Sequence, residues 1–292
     1  ILNVKTMKIK FLALITISFF SLTEVSAQIN VDRTLGALQT GVASFTFSNE
    51  DAANVASQAV KKMDSANVVA GPKDGYTLRL NRVFGKHATE NGLKLNYKVY
   101  LTKEVNAFAC ADGSVRVYSG LMDIMDDNQL LAVIGHEIGH VANEDTKDAV
   151  RSAYRNAALI NAVGATSDKV AKVTDGQAGQ IAGALLDSKY SRKQESEADM
   201  FSYDFMKRNG YDVNAVESAF TILSNLSGGS QSDFISRMMS SHPEPQSRAV
   251  AAKNRATADG LYKAYVQKPI SNKATATTTK KPATKKTTKK KK

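Results

Sequence analysis

Cysteine occurs once in the 292 residues, as Cys110, so no intrachain disulfide can form and stability has to come from a packed core. A long apolar run is missing as well. The most hydrophobic stretch, residues 11–20, is roughly half of the ~20 residues that a membrane-crossing helix needs. No segment repeats with a period of about 20–50 residues, which argues against a helical solenoid. Histidine is scarce: its four copies are His87, His136, His140 and His242, so any centre built from imidazoles must draw on these. Against these shortages stands a hydrophobic fraction of 42%, enough for the core of one generous domain or two small ones.

The net charge of +11 sits at the ends of the chain. Residues 271–292 carry nine lysines and no acid, residues 1–27 carry Lys5, Lys8 and Lys10 against Glu24, and residues 28–270 are electrically balanced. The first stretch reads as an export signal: Met7 is a plausible start, Lys8 and Lys10 precede the apolar run, and Val25-Ser26-Ala27 offers a small-x-small cleavage site. Residues 1–6 would then be an upstream extension, the mature chain would begin near Gln28, and the alternative is an uncleaved membrane tether. Cys110 does not follow the apolar run as a lipid-attachment cysteine would, and it reads as a small buried apolar residue. Residues 271–292, nearly all Lys, Thr, Ala and Pro, are expected to be disordered. Their charge suits contact with an anionic envelope surface. Nucleic acid is not expected, because no aromatic residue is interleaved for base stacking.

Periodicity predicts a mainly α protein with one small sheet, an α+β class. A helix is expected over 49–66 behind a Ser48 or Asn49 cap, and a second over 76–89 after the breaker Gly71-Pro72-Lys73-Asp74-Gly75. Alternation marks strands at 93–101 and 114–119, with Asp112-Gly113 as a turn. Helices follow over 128–142, 146–163, 170–186, 192–208 and 213–226, with a last one after Pro245. The Ala- and Gly-rich segment 164–183 fits either a loosely packed helical hairpin or a mobile loop.

Within the first of these later helices stands His136-Glu137-Ile138-Gly139-His140. Residues four apart share a helix face, so both imidazoles can address one ion while Glu137 reaches a water beside it. Such a hydrolytic zinc centre takes a third protein ligand and leaves a position for water. Candidates for that ligand are His87, His242 and a carboxylate in the helix that begins at Arg192, where Glu195 and Asp199 are four apart. Glu195 can bind the ion while Asp199 accepts the second ring proton of a ligating histidine. Glu197 points elsewhere. His242 precedes Pro243 and is expected on an extended loop. His87 has no partner in sequence and reads as a surface or packing residue.

Together, NAFACADGSVRVYSGLM (106–122), HEIGH, SRKQESEAD (191–199) and HPEPQSR (242–248) resemble the gluzincin zinc metallopeptidases of the HtpX and CAAX prenyl protease type, Peptidase family M48, including the soluble BepA-like periplasmic enzymes. The resemblance implies a zincin-like fold with HExxH on a central helix, formed by residues 28–270. It implies one zinc ion on His136, His140 and Glu195, with Asp199 as supporting carboxylate. It also implies an edge strand for an extended protein or peptide substrate across Asn106, Ala107, Phe108, Val115 and Val117. His242 would stand near the metal, either stabilising an oxyanion or closing the zinc in a latent state. Arg248 would donate to that oxyanion or pair with a carboxylate such as Asp199. The expected activity is endopeptidase cleavage of envelope proteins, misfolded ones included, with Glu137 as general base. The competing expectation is a latent or non-catalytic zinc-binding envelope chaperone. Another divalent ion in place of zinc also fits these ligand types.

Overall fold

The computed structural model describes residues 47–90, 92–161, 173–228 and 232–272. The expected export segment, nearly all of the lysine-rich tail and residues 164–172 of the Ala/Gly-rich segment lie outside them.

Helix α1 (Asn49–Ala66) starts at Ser48, which forms a capping box with Asp51, and it buries Ala52, Val55, Ala56, Ala59, Val60 and Met63 on one face. Helix α2 (Gly75–Phe84) is capped by Asp74. It stops short of the expected residue 89 because the chain tightens into a 3-10 turn (Gly85–His87) and then a strand, β1 (Thr89–Glu90). Tertiary contacts decide that turn: His87 packs against Phe84 and Phe205, and Tyr211 OH lies 2.7 Å from its Nε2. His87 is thus a buried packing residue, far from any surface role.

The strand expected over 93–101 divides into β2 (Leu93–Lys94), antiparallel to β1, and β3 (Asn96–Tyr100). With β4 (Ala107–Ala109) and β5 (Ser114–Tyr118), β3 forms a sheet of order β3-β5-β4, in which β3 runs parallel and β4 antiparallel to β5. The β4–β5 turn depends on Gly113, whose φ of +80° is open to glycine without strain. Strand β5 is buried along its whole length. A short helix absent from the sequence expectations, α3 (Ser119–Ile124), follows it directly.

Helix α4 (Asp127–Ala142) carries HEIGH and is capped by Asp126 with Gln129 completing the box. It is buried from Gln129 to Val141, consistent with a sequence that is apolar on most sides. A chain segment beyond the last helix fastens its start: Tyr265 OH and the Lys268 backbone N–H both donate to Asp126 Oδ2 at 2.7 Å. Then come α5 (Asp145–Asn161), α6 (Asp175–Leu186), α7 (Arg192–Arg208), α8 (Asn214–Ser227), α9 (Ser232–Ser241) and α10 (Pro245–Ala258). Periodicity does not predict helix α9: four of its ten residues are serine, and among its described side chains only Ile235, Met238 and Ser241 are buried. The described part of the Ala/Gly-rich segment is helical, in α6.

Helices α4 and α7 touch closely because Gly139 and Gly135 face α7. A Cβ on Gly139 would stand 3.0 Å from the Ala198 Cα, tighter than ordinary packing allows. One apolar core gathers α4, α7, α8 and α10 around the sheet, and a second gathers α1, α5 and α6. No helix among the described residues is long and apolar enough to cross a membrane.

Candidate metal centre

One turn of α4 separates His136 from His140, and their Nε2 atoms lie 3.1 Å apart. The first turn of α7 brings in Glu195, with Oε1 3.3 Å from His140 Nε2 and Oε2 3.7 Å from His136 Nε2. His242 completes the group from the end of α9: its Nδ1 is 3.0 Å from Glu195 Oε1 and 3.3 Å from His136 Nε2. One ligand atom from each of the four lies within 4.8 Å of the others, and all four residues are buried. His242 does not sit on an extended loop as expected. Its backbone N–H still donates to Met238 O at 2.8 Å, so it ends the helix, and the chain redirects at Glu244 with φ +59°.

The carboxylates and Arg248 form a tight set. Arg248 Nε donates to Asp199 Oδ2 at 2.9 Å and Nη2 to Oδ1 at 2.6 Å, a two-point grip. Its Nη1 stands 2.6 Å from Glu195 Oε2, close as an ion pair although not aligned as a hydrogen bond. Asp199 Oδ1 lies 2.9 Å from His136 Nδ1, where a carboxylate fixes the ring. Arg248 therefore pairs with carboxylates, the second of the two roles open to it. Glu197 is half exposed and opposite Lys193, outside the centre.

Glu137 turns its carboxylate into a cleft shared with Phe108, Ala109, Tyr190 and His242. Its Oε1 has no hydrogen-bond partner and stands 3.6 Å from His242 Nε2. Burial pushes its carboxyl above the usual range, against the pull of His242 and His140. Burial, Arg248 and His140 together hold His136 down to about 3, which favours its neutral ring. Burial opposes charge on His140, but Asp145 and Glu195 outweigh it and push the ring up to about 9. Burial likewise opposes charge on Glu195, and the surrounding histidines hold it well below the carboxylate range.

Two residues that grip His140 had no signal in the sequence. Asp145 Oδ2 lies 2.9 Å from His140 Nδ1, brought there across the helix end by Glu144, whose φ is +63°. Tyr190 stacks on the same ring at 3.8 Å and 14°. Neither lies at helical spacing from His140, so no periodicity could reveal them.

The expected edge strand divides. Val115 and Val117 belong to β5, which has β3 on one side and β4 on the other, and so cannot offer an edge. Ala107 and Phe108 belong to β4, whose outer side has no strand neighbour among the described residues. Asn106 O accepts the Tyr118 N–H of β5, and the Cys110 N–H donates to Ser114 O of β5. Alternation therefore turns the backbone groups of Ala107 and Ala109 outward. Asn106 also accepts the Ala107 N–H through its own side-chain oxygen at 2.9 Å.

Residues 76–256 match the profile of Peptidase family M48. The chain belongs to that family. It is 40% identical over 211 residues to metalloprotease YcaL of Escherichia coli K12, covering 72% of this chain and 82% of that protein. To metalloprotease LoiP of the same strain it is 36% identical over 230 residues, or 77% and 90% of the two chains. The beta-barrel assembly-enhancing protease of Escherichia coli O157:H7 is 32% identical over 179 residues, which span 57% of this chain and 36% of that one. This M48 protein is a metalloendopeptidase, and the family implies a divalent metal, usually zinc. Two imidazoles and a carboxylate, gathered within bonding reach of one another, fit that ion in donor type and number.

Proposed function

We propose that this protein is a zinc endopeptidase of the bacterial cell envelope that cuts extended segments of envelope proteins, misfolded ones included. The single observation that carries the reading is Glu137: a buried carboxylate, with one oxygen unpartnered, between the ligand cluster and a cleft beside an open strand edge.

His136, His140 and Glu195 would hold the ion, with His242 near enough to join them. Bound zinc supplies a Lewis acid and a water of lowered pKa. Glu137 accepts the proton of the attacking water and later gives it to the departing amide nitrogen, so no acyl-enzyme forms. Asp199 and Arg248 act one step back, holding His136 and Glu195 in place. Substrate joins the outer side of β4 as an added strand, paired with the Ala107 carbonyl and the backbone groups of Ala109, where backbone bonds demand little of sequence. His242 has two roles in this reading: donor to the developing oxyanion, or a fourth ligand that closes the centre until substrate enters. The contact between His242 Nδ1 and Glu195 Oε1 supports the second.

Residues 1–27 direct export in this reading, residues 28–270 form the peptidase domain, and the lysine tail contacts anionic surface. The beta-barrel assembly-enhancing relative supports the envelope setting. Glu137→Gln tests the chemistry. Expected are unchanged zinc content and melting temperature, with casein cleavage reduced by roughly 10²–10⁴-fold. Cleavage at the wild-type rate would sink the assignment.

A further inference from the structure

We propose that Gln194 is a positioning residue of the metal centre, which sets the ring of His140 through Asp145 and ties it to the helix that supplies Glu195. The inference rests on His140 being a metal ligand, as proposed above.

Gln194 uses both ends of its amide. Its Oε1 accepts the Ser191 backbone N–H and the Ser191 hydroxyl, each at 2.9 Å, and Ser191 Oγ accepts the Gln194 backbone N–H at 3.3 Å. That is the capping box of α7. Its Nε2 donates to Asp145 Oδ1 at 2.9 Å, and the other oxygen of Asp145 lies 2.9 Å from His140 Nδ1. Two hydrogen bonds therefore run from the first turn of α7 to an imidazole on α4, by way of the first residue of α5.

Capping alone does not require this amide. The box needs an acceptor at its third helical residue, and glutamate serves there as well as glutamine. Only the contact with Asp145 requires an N–H at this position. Asp145 is 6% exposed, so water has little access to replace that donor. With one oxygen held by Gln194, its carboxylate plane is set and the other oxygen faces the ring. Such outer partners orient a ligating imidazole and raise its basicity. Glu195, the next residue on the same turn, makes the arrangement self-consistent: the backbone that places one ligand also fixes the orientation of another.

Gln194→Glu separates the two jobs, because it keeps the capping acceptor and sets a second carboxylate against Asp145. Ser191→Ala does the reverse, weakening the cap while leaving the Asp145 contact. Zinc dissociation constants are measured by chelator competition on the full chain, alongside melting of the metal-free proteins. For Gln194→Glu the expected result is zinc bound about 10-fold more weakly, with metal-free melting near wild type. For Ser191→Ala it is lower melting with wild-type zinc affinity. Unchanged zinc affinity in Gln194→Glu overturns the inference, as does a Ser191→Ala loss of equal size. If Gln194→Glu does not fold, Gln194→Met, which removes the donor without adding charge, is judged by the same two outcomes. A wild-type chain that binds no zinc removes the proposed function and this inference together, whereas wild-type binding with an unaffected Gln194→Glu removes only the inference.

Discussion

Two of the polar clusters among the described residues are built on opposite plans. On the sheet, Asp64 of α1 receives Arg116 Nε at 2.7 Å, Lys98 Nζ at 2.7 Å and Tyr100 OH at 2.7 Å. Arg116 Nη2 also donates to Asp64 Oδ2 at 3.0 Å, and its Nη1 donates to carbonyls, among them Asn96 O at 2.9 Å and Val115 O at 3.0 Å. Between α4 and α7, the acids Glu137, Asp145, Glu195 and Asp199 gather around three histidines and Arg248, and Glu137 Oε1 is left without a partner. The first cluster is self-sufficient, as a structural tie between a helix and a sheet has to be. The second carries more acceptor capacity than its own donors satisfy. A satisfied network rigidifies; one with free acceptors is costly unless a cation or substrate completes it.

The sharpest way to break that contrast is to remove the cation. Treatment with a chelator should lower peptide cleavage by roughly three orders of magnitude or more, recoverable with zinc in the wild type but not in His140→Ala. Residual activity in the fully stripped protein would mean that the acceptor-rich cluster works alone. Second in size is Gly139→Ala. A methyl group facing Ala198 must push α4 and α7 apart, at about 1–3 kcal/mol in stability, and should weaken zinc binding because each helix supplies ligands. Equal zinc affinity would show that the ligands tolerate the displacement.

For the sheet cluster, Asp64→Asn should cost about 2 kcal/mol in denaturant unfolding, since it strips the counter-charge from a fully buried Arg116; the side of Asp64 open to solvent moderates the loss. Cleavage per folded molecule should not change. A large drop in that quantity would couple the two clusters and erase the distinction. The smallest effect is in pH. Burial opposes charge on Asp64, but Arg116, Lys98 and Tyr100 hold its carboxyl at about 2, below the ordinary 3.8. A depressed carboxyl contributes stability above its unfolded value and loses it as pH falls toward the folded one. The stability gap between wild type and Asp64→Asn should therefore be widest above about pH 5 and narrow by about pH 3. A gap that widens with acid would contradict the direction given for Asp64.

Much of the site was legible in the residues themselves. HEIGH named its own helix and face, and Glu195 with Asp199 at helical spacing pointed to one face of α7. His242 and Arg248 were reached through motif resemblance, and both stand at the centre. Asp145 and Tyr190 were not legible, since each reaches His140 from beyond a helix end and no spacing rule crosses such a break. Val115 and Val117 carried the alternation of a strand, yet alternation cannot say whether a strand lies at an edge or in the middle. The end of α2 was misjudged for the same kind of reason: His87 leaves helical geometry to reach Phe205 and Tyr211, which follow more than a hundred residues later in the chain.

By itself, then, the amino-acid sequence determined most of the helices, the cap that starts α1 and the types of ligand, because these depend on neighbours within a few positions along the chain. Only the tertiary structure decided that Arg248 grips Asp199 instead of facing the cleft, that β4 and not β5 lies at an edge of the sheet, and that Gln194 extends its capping box to Asp145. Each of these depends on which distant side chain claims a hydrogen-bonding group first, and that competition is settled in three dimensions.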